Sequence, residues 1–135
     1  MTFEKLSYVE QRLRSSIEKV RQQGVKLRRG WFWRDADDKP LPRRWRMSEG
    51  TPSEVCFCCV LGAEALVYLS ESLSVGAFPT AHVSNSVFIT IGDNFGITAA
   101  EVSRISAGFE GRENYDVRDE FYNLGVRLHK EFAEP

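Results

Sequence analysis

Tryptophan and arginine residues are concentrated in one short part of this 135-residue chain. All three tryptophans and eight of the eighteen Lys and Arg residues lie between Lys26 and Arg46, hereafter the Trp/Arg segment. Aromatic faces attract guanidinium groups, and guanidinium groups bind carboxylates and phosphates in a bidentate manner. The segment therefore predicts either an anion-binding surface or a flap that packs over a core.

Folding and binding compete for these tryptophans. Burial of one Trp contributes about 4–6 kcal/mol, an upper estimate, whereas stacking on an unpaired base contributes about 1–3 kcal/mol. We therefore expect the Trp side chains to turn at least partly inward and to leave an arginine-rich rim for a partner. The candidate partner-binding residues are Arg29, Trp31, Trp33, Arg34, Arg43, Arg44, Trp45 and Arg46.

Charge is distributed unevenly along the chain. The Trp/Arg segment has a net charge of +5, residues 1–25 have +2 and residues 47–135 have −8, although the whole chain has only −1. The basic segment could simply neutralise the acidic remainder of its own fold. It could equally bind an acidic partner protein, or a second copy of the chain in a homodimer. Nucleic acid is disfavoured as a partner because burial of the Trp side chains contributes more than base stacking.

The three cysteines offer a weak metal or thiol motif. Cys56, Cys58 and Cys59 lie within four positions, too close to build a disulfide framework, so we expect free thiols. Structural zinc usually needs four ligands, and His82 and His129 are isolated in sequence. On a helix Cys56 and Cys59 would share one face as small apolar residues. No catalytic residue, metal or cofactor is predicted here.

Two acidic groups also fail as metal motifs. Asp35, Asp37 and Asp38 resemble the beginning of a calcium loop, but Lys39 and Pro40 occupy positions that such a loop needs for a ligand and for glycine. A turn is the better interpretation. A second acidic group is explained by helix capping and a solvated face, and consists of Glu110, Glu113, Asp116, Asp119 and Glu120.

An amphipathic helix is expected to begin the chain. Apolar residues recur every three or four positions from Phe3 to Val20 and would share one face. Thr2 can cap its start, and Gly24 suits the left-handed residue beyond its end. The Trp/Arg segment follows as a long connection, because Pro40 and Pro42 exclude a helix there. A short β-hairpin between Trp31–Arg34 and Arg43–Met47 would fit this connection.

The second helix is expected to be the central one. Thr51-Pro52-Ser53-Glu54 has the capping-box pattern, and Val55 to Leu69 is apolar on almost every side, interrupted chiefly by Glu64. A helix without a polar face is buried on several sides.

Three further helices are expected in the C-terminal half. Residues 83–95 would suit a strand or a helix, and Gly96 favours the helix by supplying a stop. Thr98-Ala99-Ala100-Glu101 is a second capping box, beginning a short helix that ends near Gly108 or Gly111. Asp116 can cap the last helix, which has an apolar face from Val117 to Phe132.

The predicted fold is therefore mainly α: a single-domain bundle of about five helices, spanning residues 1–135, with a long Trp/Arg-rich connection after the first helix. A chain of this size can bury a sufficient core in one domain. No run of 18 apolar residues suggests a membrane span, and the N-terminal residues lack signal-peptide features, so we expect a cytoplasmic protein.

Three short patterns occur in order along the chain: Gly30-Trp31, the Asp-rich turn at Arg34–Asp37, and a Cys-x-x-x-Gly-Ala pattern from Cys58 to Ala63. In these patterns, with weaker agreement after residue 63, the chain resembles a group of small bacterial or phage proteins for which no activity is known. The resemblance implies a bacterial or phage origin and a Trp/Arg segment that forms one unit with the second helix.

Two functional hypotheses follow. The first is a non-enzymatic interaction module that binds an acidic protein, or itself, through the Trp/Arg segment. The alternative is a small-ligand-binding protein or enzyme with a pocket between that segment and the Cys-containing helix. Such a pocket would draw on Trp31, Trp33, Asp35, Cys59 and His82.

Overall fold

The computed structural model describes residues 3–30, 33–39, 55–68, 85–112 and 118–133, and over these ranges the protein is mainly helical. The predicted fold class is confirmed. Five helices occur in the described ranges: α1 (Phe3–Gln22), α2 (Val60–Tyr68), α3 (Asn85–Phe95), α4 (Ala99–Glu110) and α5 (Glu120–Phe132). Three two-residue strands accompany them: β1 (Lys26–Leu27), β2 (Trp33–Arg34) and β3 (Phe57–Cys58).

Helix α1 follows the predicted apolar spacing. Val9, Leu13, Ile17 and Val20 are almost completely buried, so the face defined by the sequence is the face that packs. The helix ends at Gln22, and Gly24 has φ +85°, the left-handed conformation that glycine adopts without a steric cost. The proposed cap, Thr2, lies outside the described residues.

The second helix begins later than the sequence predicted. Residues 55–59 are not helical, and α2 starts at Val60. Neighbouring strands use this backbone instead: the amides of Lys26 and Arg28 donate to the carbonyls of Cys56 and Cys58, each at 2.9 Å. The prediction that Cys56 and Cys59 share a helix face was therefore wrong. Residues 51–54, which carry the capping-box pattern, lie outside the described ranges.

The three strands form one small sheet in the order β1-β3-β2. Strand β1 is parallel to β3, and β2 is antiparallel to it. Leu27, Cys58 and Trp33 align across the sheet, and each is at most 1% exposed. The described partner of the Trp33–Arg34 arm is thus β3, while the Arg43–Met47 arm of the predicted hairpin lies outside the described residues.

Helices α3 and α4 confirm the signals read from the sequence. Residues 85–95 are helical, and Gly96 has φ +76°. Thr98 and Glu101 form the predicted capping box, since the hydroxyl of Thr98 accepts from the Glu101 amide and the Glu101 carboxylate accepts from the Thr98 amide. Helix α4 ends at Glu110, and Gly111 is its left-handed C-cap.

Helix α5 begins at Glu120 with Asp119 as its N-cap, so the predicted cap at Asp116 was wrong. One Asp119 carboxylate oxygen accepts from the amides of Phe121 and Tyr122. Asp116 and Val117 lie outside the described residues. Phe121, Leu124 and Leu128 are buried, which confirms the predicted face of this helix.

A continuous apolar core connects the helices to the inner face of the sheet. Helix α2 is buried from Val60 to Glu64, as expected for a segment with almost no polar side chain. None of the described helices is both long and apolar enough to cross a membrane.

Candidate protein-interaction face

The sheet presents a cationic and aromatic surface on the side opposite the core. Alternation along the strands places Lys26, Phe57 and Arg34 in register, with their side chains away from Leu27, Cys58 and Trp33. Arg28 lies two residues beyond Lys26, and its amide continues the β1–β3 ladder. We call Lys26, Arg28, Arg34 and Phe57 the outer sheet face.

Phe57 orients one of the cations on this face. The guanidinium carbon of Arg28 lies 4.1 Å from the centroid of the Phe57 ring, a close cation–π contact. Such contacts contribute about 0.5–1 kcal/mol when they are exposed. The Arg28 side chain remains 34% exposed, so it is oriented and also accessible to solvent.

A tight turn places a carboxylate over the same face. Asp35 holds the turn, because its Oδ1 accepts from the amides of Asp37 (2.9 Å) and Lys39 (3.0 Å), as in an Asx turn. Asp38 has φ +64°, an uncommon conformation that Asp and Asn tolerate better than most residues. Its carboxylate lies 3.0 Å from Arg34 Nη1 and 3.4 Å from Arg28 Nη1. Two guanidinium groups thus share one carboxylate.

The other side of Arg34 is anchored to the end of helix α4. Arg34 Nη2 donates to the carbonyl oxygen of Arg29. Arg29 Nε in turn donates to the Phe109 carbonyl at 2.7 Å, in the last turn of α4, where cations are favoured by the helix dipole. Glu110 Oε1 accepts from the Gly30 amide at 2.7 Å. These bonds fix the backbone between β1 and β2 against α4.

Burial raises the pKa of Glu110. The hydrogen bond from Gly30 and the charges of Arg112, Arg29 and Arg34 oppose that rise. This carboxylate is therefore surrounded by cations, and the region remains rich in positive charge.

The candidate partner-binding residues divide into three groups. Arg34 lies on the outer sheet face and donates to the backbone carbonyl of Arg29, whereas the Arg29 side chain is bonded to the end of α4. Trp33 is fully buried, and its Nε1 donates to the Gly62 carbonyl at 3.0 Å, so it joins the sheet to α2 as the inward-turned flap predicted. The remaining candidates lie outside the described residues: Trp31, Arg43, Arg44, Trp45 and Arg46.

The residues of the predicted pocket also fall into different places in the structure. Trp33 packs directly against α2, and Cys59 Sγ accepts from the Gly62 amide at 3.3 Å within the core. Asp35 stabilises the turn described above. Trp31 and His82 lie outside the described residues.

Sequence reasoning missed Phe57 and the pairing role of Asp38. Phe57 was assigned to a helix, although the alternation Cys56-Phe57-Cys58 is compatible with a strand that has one face exposed. Asp38 was recognised only as part of a turn. No local pattern indicates that its carboxylate reaches Arg28, ten residues away in sequence.

A second polar cluster lies inside the helical part of the fold. Glu64 is fully buried, and its carboxylate accepts from Ser16 Oγ at 2.5 Å and from Asn94 Nδ2 at 2.9 Å, with Arg12 Nη2 3.4 Å away. Burial raises the pKa of Glu64, and these partners reduce the rise. Donors from α1 and α3 thus satisfy both oxygens, which makes this cluster a polar link between helices.

Two of the three cysteines lie in the apolar core. All three are free thiols, as expected, and Cys58 and Cys59 are buried. Burial raises the pKa of Cys58, which disfavours the thiolate that nucleophilic or metal-binding chemistry requires. Within the described ranges, no group of three or more His, Cys, Asp and Glu residues is arranged to hold a metal ion.

Comparisons with known proteins found no matching family model, no matching curated protein and no matching solved structure. The resemblance to small bacterial or phage proteins stays a prediction.

Proposed function

We propose that this protein is a non-enzymatic interaction module that binds an acidic protein surface through the Trp/Arg segment. The partner is either another protein or a second copy of the chain. The observation that supports this proposal is the pair of guanidinium groups, Arg28 and Arg34, that already holds the exposed carboxylate of Asp38.

The charge of the segment agrees with such a partner. Residues 26–39 have five Lys or Arg residues and three Asp residues, and Arg43, Arg44 and Arg46 add three further positive charges. Complementary charge accelerates association and selects between partners more than it adds affinity. Residues 47–135, with a net charge of −8, supply acidic surface for a homodimer.

We extend the proposal to the cellular setting. A bacterial or phage protein in the cytoplasm would keep its thiols reduced, and Cys56, Cys58 and Cys59 are free in the structure.

The first prediction concerns the arginines that follow the described part of the segment. The triple variant Arg43→Ala, Arg44→Ala, Arg46→Ala should weaken self-association or binding to a fluorescein-labelled hexaglutamate peptide by about tenfold, on the order of 0.5 kcal/mol per charge removed. Sedimentation velocity and fluorescence anisotropy measure the two events separately, and thermal unfolding by circular dichroism should be unchanged.

A matched control removes three positive charges elsewhere. Arg21→Ala, Arg118→Ala, Lys130→Ala changes exposed residues outside the Trp/Arg segment and should leave both binding readouts close to those of the wild-type protein. Unchanged sedimentation and unchanged peptide binding in the first triple variant would refute the interaction module. A small molecule retained through purification and detected by mass spectrometry would favour the ligand-binding alternative.

A further inference from the structure

We infer that Asp38 occupies the position that a carboxylate of the acidic partner takes on Arg28 and Arg34, so that partner binding displaces Asp38. This inference rests on the proposed function and specifies its docking point, the outer sheet face. The partner group is an Asp or Glu side chain in an acidic protein segment.

The Asp38 side chain can leave without loss of the turn that carries it. The turn is closed by backbone bonds from Asp35 to the Lys39 carbonyl (2.9 Å) and from Asp38 to the Asp35 carbonyl (3.0 Å), together with the two bonds to Asp35 Oδ1. None of these bonds uses the Asp38 carboxylate. That side chain is 46% exposed, so water can replace the guanidinium groups around it.

The guanidinium groups of Arg34 and Arg28 are each held by a contact that does not involve Asp38. The side chain of Arg34 is only 11% exposed, and its Nη2 is fixed by the Arg29 carbonyl. Arg28 is stacked on Phe57. An incoming carboxylate therefore meets guanidinium groups that are already ordered, which lowers the entropic cost of binding.

Carboxylates fit this position better than a nucleic acid does. The group found there is itself a carboxylate, and it contacts Arg28 and Arg34 at hydrogen-bond and ion-pair distances. A nucleic acid needs several phosphate contacts along an extended basic track.

The test compares two neighbouring aspartates of the same turn. Asp38→Asn removes the competing charge while keeping a residue that tolerates positive φ. Asp37→Asn removes an equal charge from an exposed side chain whose backbone, rather than its carboxylate, takes part in the turn. Each full-length variant is titrated with the fluorescein-labelled hexaglutamate peptide at about 50 mM NaCl, where exposed charges are weakly screened.

We expect Asp38→Asn to tighten peptide binding about three- to fivefold, since removal of an internal competitor raises the fraction of binding-competent protein. Asp37→Asn should change the dissociation constant less than about twofold. Asp38→Gly, which also suits φ +64°, should reproduce the gain. Arg28→Met keeps an apolar side chain beside Phe57, and in its background the gain should disappear.

The possible results separate this inference from the broader proposal. Equal affinities of the Asp38→Asn and Asp37→Asn variants would overturn the displacement of Asp38, while peptide binding that is weakened in the Arg43, Arg44, Arg46 variant would keep the interaction module. Absence of peptide binding and of self-association in every variant would refute both the displacement of Asp38 and the interaction module. A larger gain for a labelled twelve-residue oligothymidine than for the peptide would overturn the assignment to an acidic protein segment.

Discussion

Glu64 is a buried side chain that links helix α2 to two other helices. Its carboxylate is completely removed from solvent, and it is satisfied by Ser16 from α1 and Asn94 from α3, with Arg12 close by. An unpaired carboxylate in this position would cost several kcal/mol. These three polar partners therefore tie α2 to specific side chains of α1 and α3, in addition to its apolar packing.

The second prediction is that Glu64→Gln changes how stability depends on pH. Burial raises the pKa of Glu64 in the folded protein above its ordinary value of 4.5. The protonated form is thus favoured by folding: its contribution to stability is complete below the ordinary pKa and is lost as the pH rises through the raised folded pKa. The free energy of unfolding of Glu64→Gln relative to wild type should therefore increase from pH 4 to pH 7.5.

Urea unfolding at several pH values measures this difference. Glu18→Gln is the matched control for the loss of an α1 carboxylate, because that side chain is 57% exposed. A relative stability of Glu64→Gln that falls with rising pH would show that the favourable charge of Arg12 outweighs burial.

The sequence identified Glu64 as an interruption of an apolar run but could not identify its partners. Ser16 and Asn94 are 48 and 30 residues away in sequence, so their approach depends on how three helices pack. For the same reason, the sequence could not predict the contact of Arg29 with the carbonyl of Phe109, 80 residues away. Residue types suggested which side chains could bind anions, and tertiary packing decided which of them meet.

At the scale of elements, helices α4 and α5 approach each other through two glycines. A methyl group placed on Gly125 would lie 2.1 Å from the Ile105 carbonyl oxygen and 2.6 Å from the Phe109 nitrogen. One placed on Gly108 would lie 1.9 Å from the Tyr122 carbonyl oxygen. Backbone atoms cannot yield as a flexible side chain does, so these two positions set the separation of the helices.

The third prediction follows from this close approach. Alanine normally stabilises an exposed helix interior by about 1 kcal/mol relative to glycine, but Gly125→Ala should instead destabilise the protein by about 1–3 kcal/mol through overpacking. Chemical denaturation gives the free energy of unfolding. Asn123→Ala, an exposed change on the same helix, should alter stability by less than about 0.5 kcal/mol. A stabilised Gly125→Ala variant would mean that the two helices can separate at little cost.

Local signals predicted helices well and strands poorly, for a physical reason. A helix such as α1 contains its own hydrogen bonds and repeats its apolar face several times, whereas each strand here has only two residues and needs a distant partner. The capping box at Thr98 begins α4 as expected. A similar pattern at Thr51 did not continue as a helix through residues 55–59, because β1 and β2 bind that backbone.

At the scale of the whole molecule, helices α1 and α5 and the residues that follow them are in direct contact. Leu27, just after α1, forms a parallel bridge with Ala133, just after α5. Arg14 of α1 donates two hydrogen bonds of 2.8 Å to the two carboxylate oxygens of Glu131, and Glu10 accepts from Arg127 at 3.0 Å. The amphipathic patterns of α1 and α5 predicted that each would pack, but two similar apolar faces do not specify which elements meet. That choice depends on these polar contacts and on the shape of the shared core.

The fourth prediction tests this closure through Arg14. Arg14→Met should lower the free energy of unfolding, because it removes a bidentate ion pair within a small network. Both Arg14 and Arg21 lie over the Phe132 ring, at 5.4 and 5.5 Å, but Arg21 forms an ion pair with Glu18 of its own helix. Arg21→Met is therefore the matched control, and it should cost less than about half as much.

Hydrogen exchange localises the effect of Arg14→Met. Amides in the last turn of α5 and the facing part of α1 should exchange faster together, since the Arg14–Glu131 pair joins them, while amides of α3 should be unchanged. In about 1 M NaCl the difference in stability between Arg14→Met and wild type should shrink, because partly exposed ion pairs are screened. If Arg21→Met has an equal effect at low salt, the aromatic contact with Phe132 and not the carboxylate of Glu131 joins the two ends of the chain.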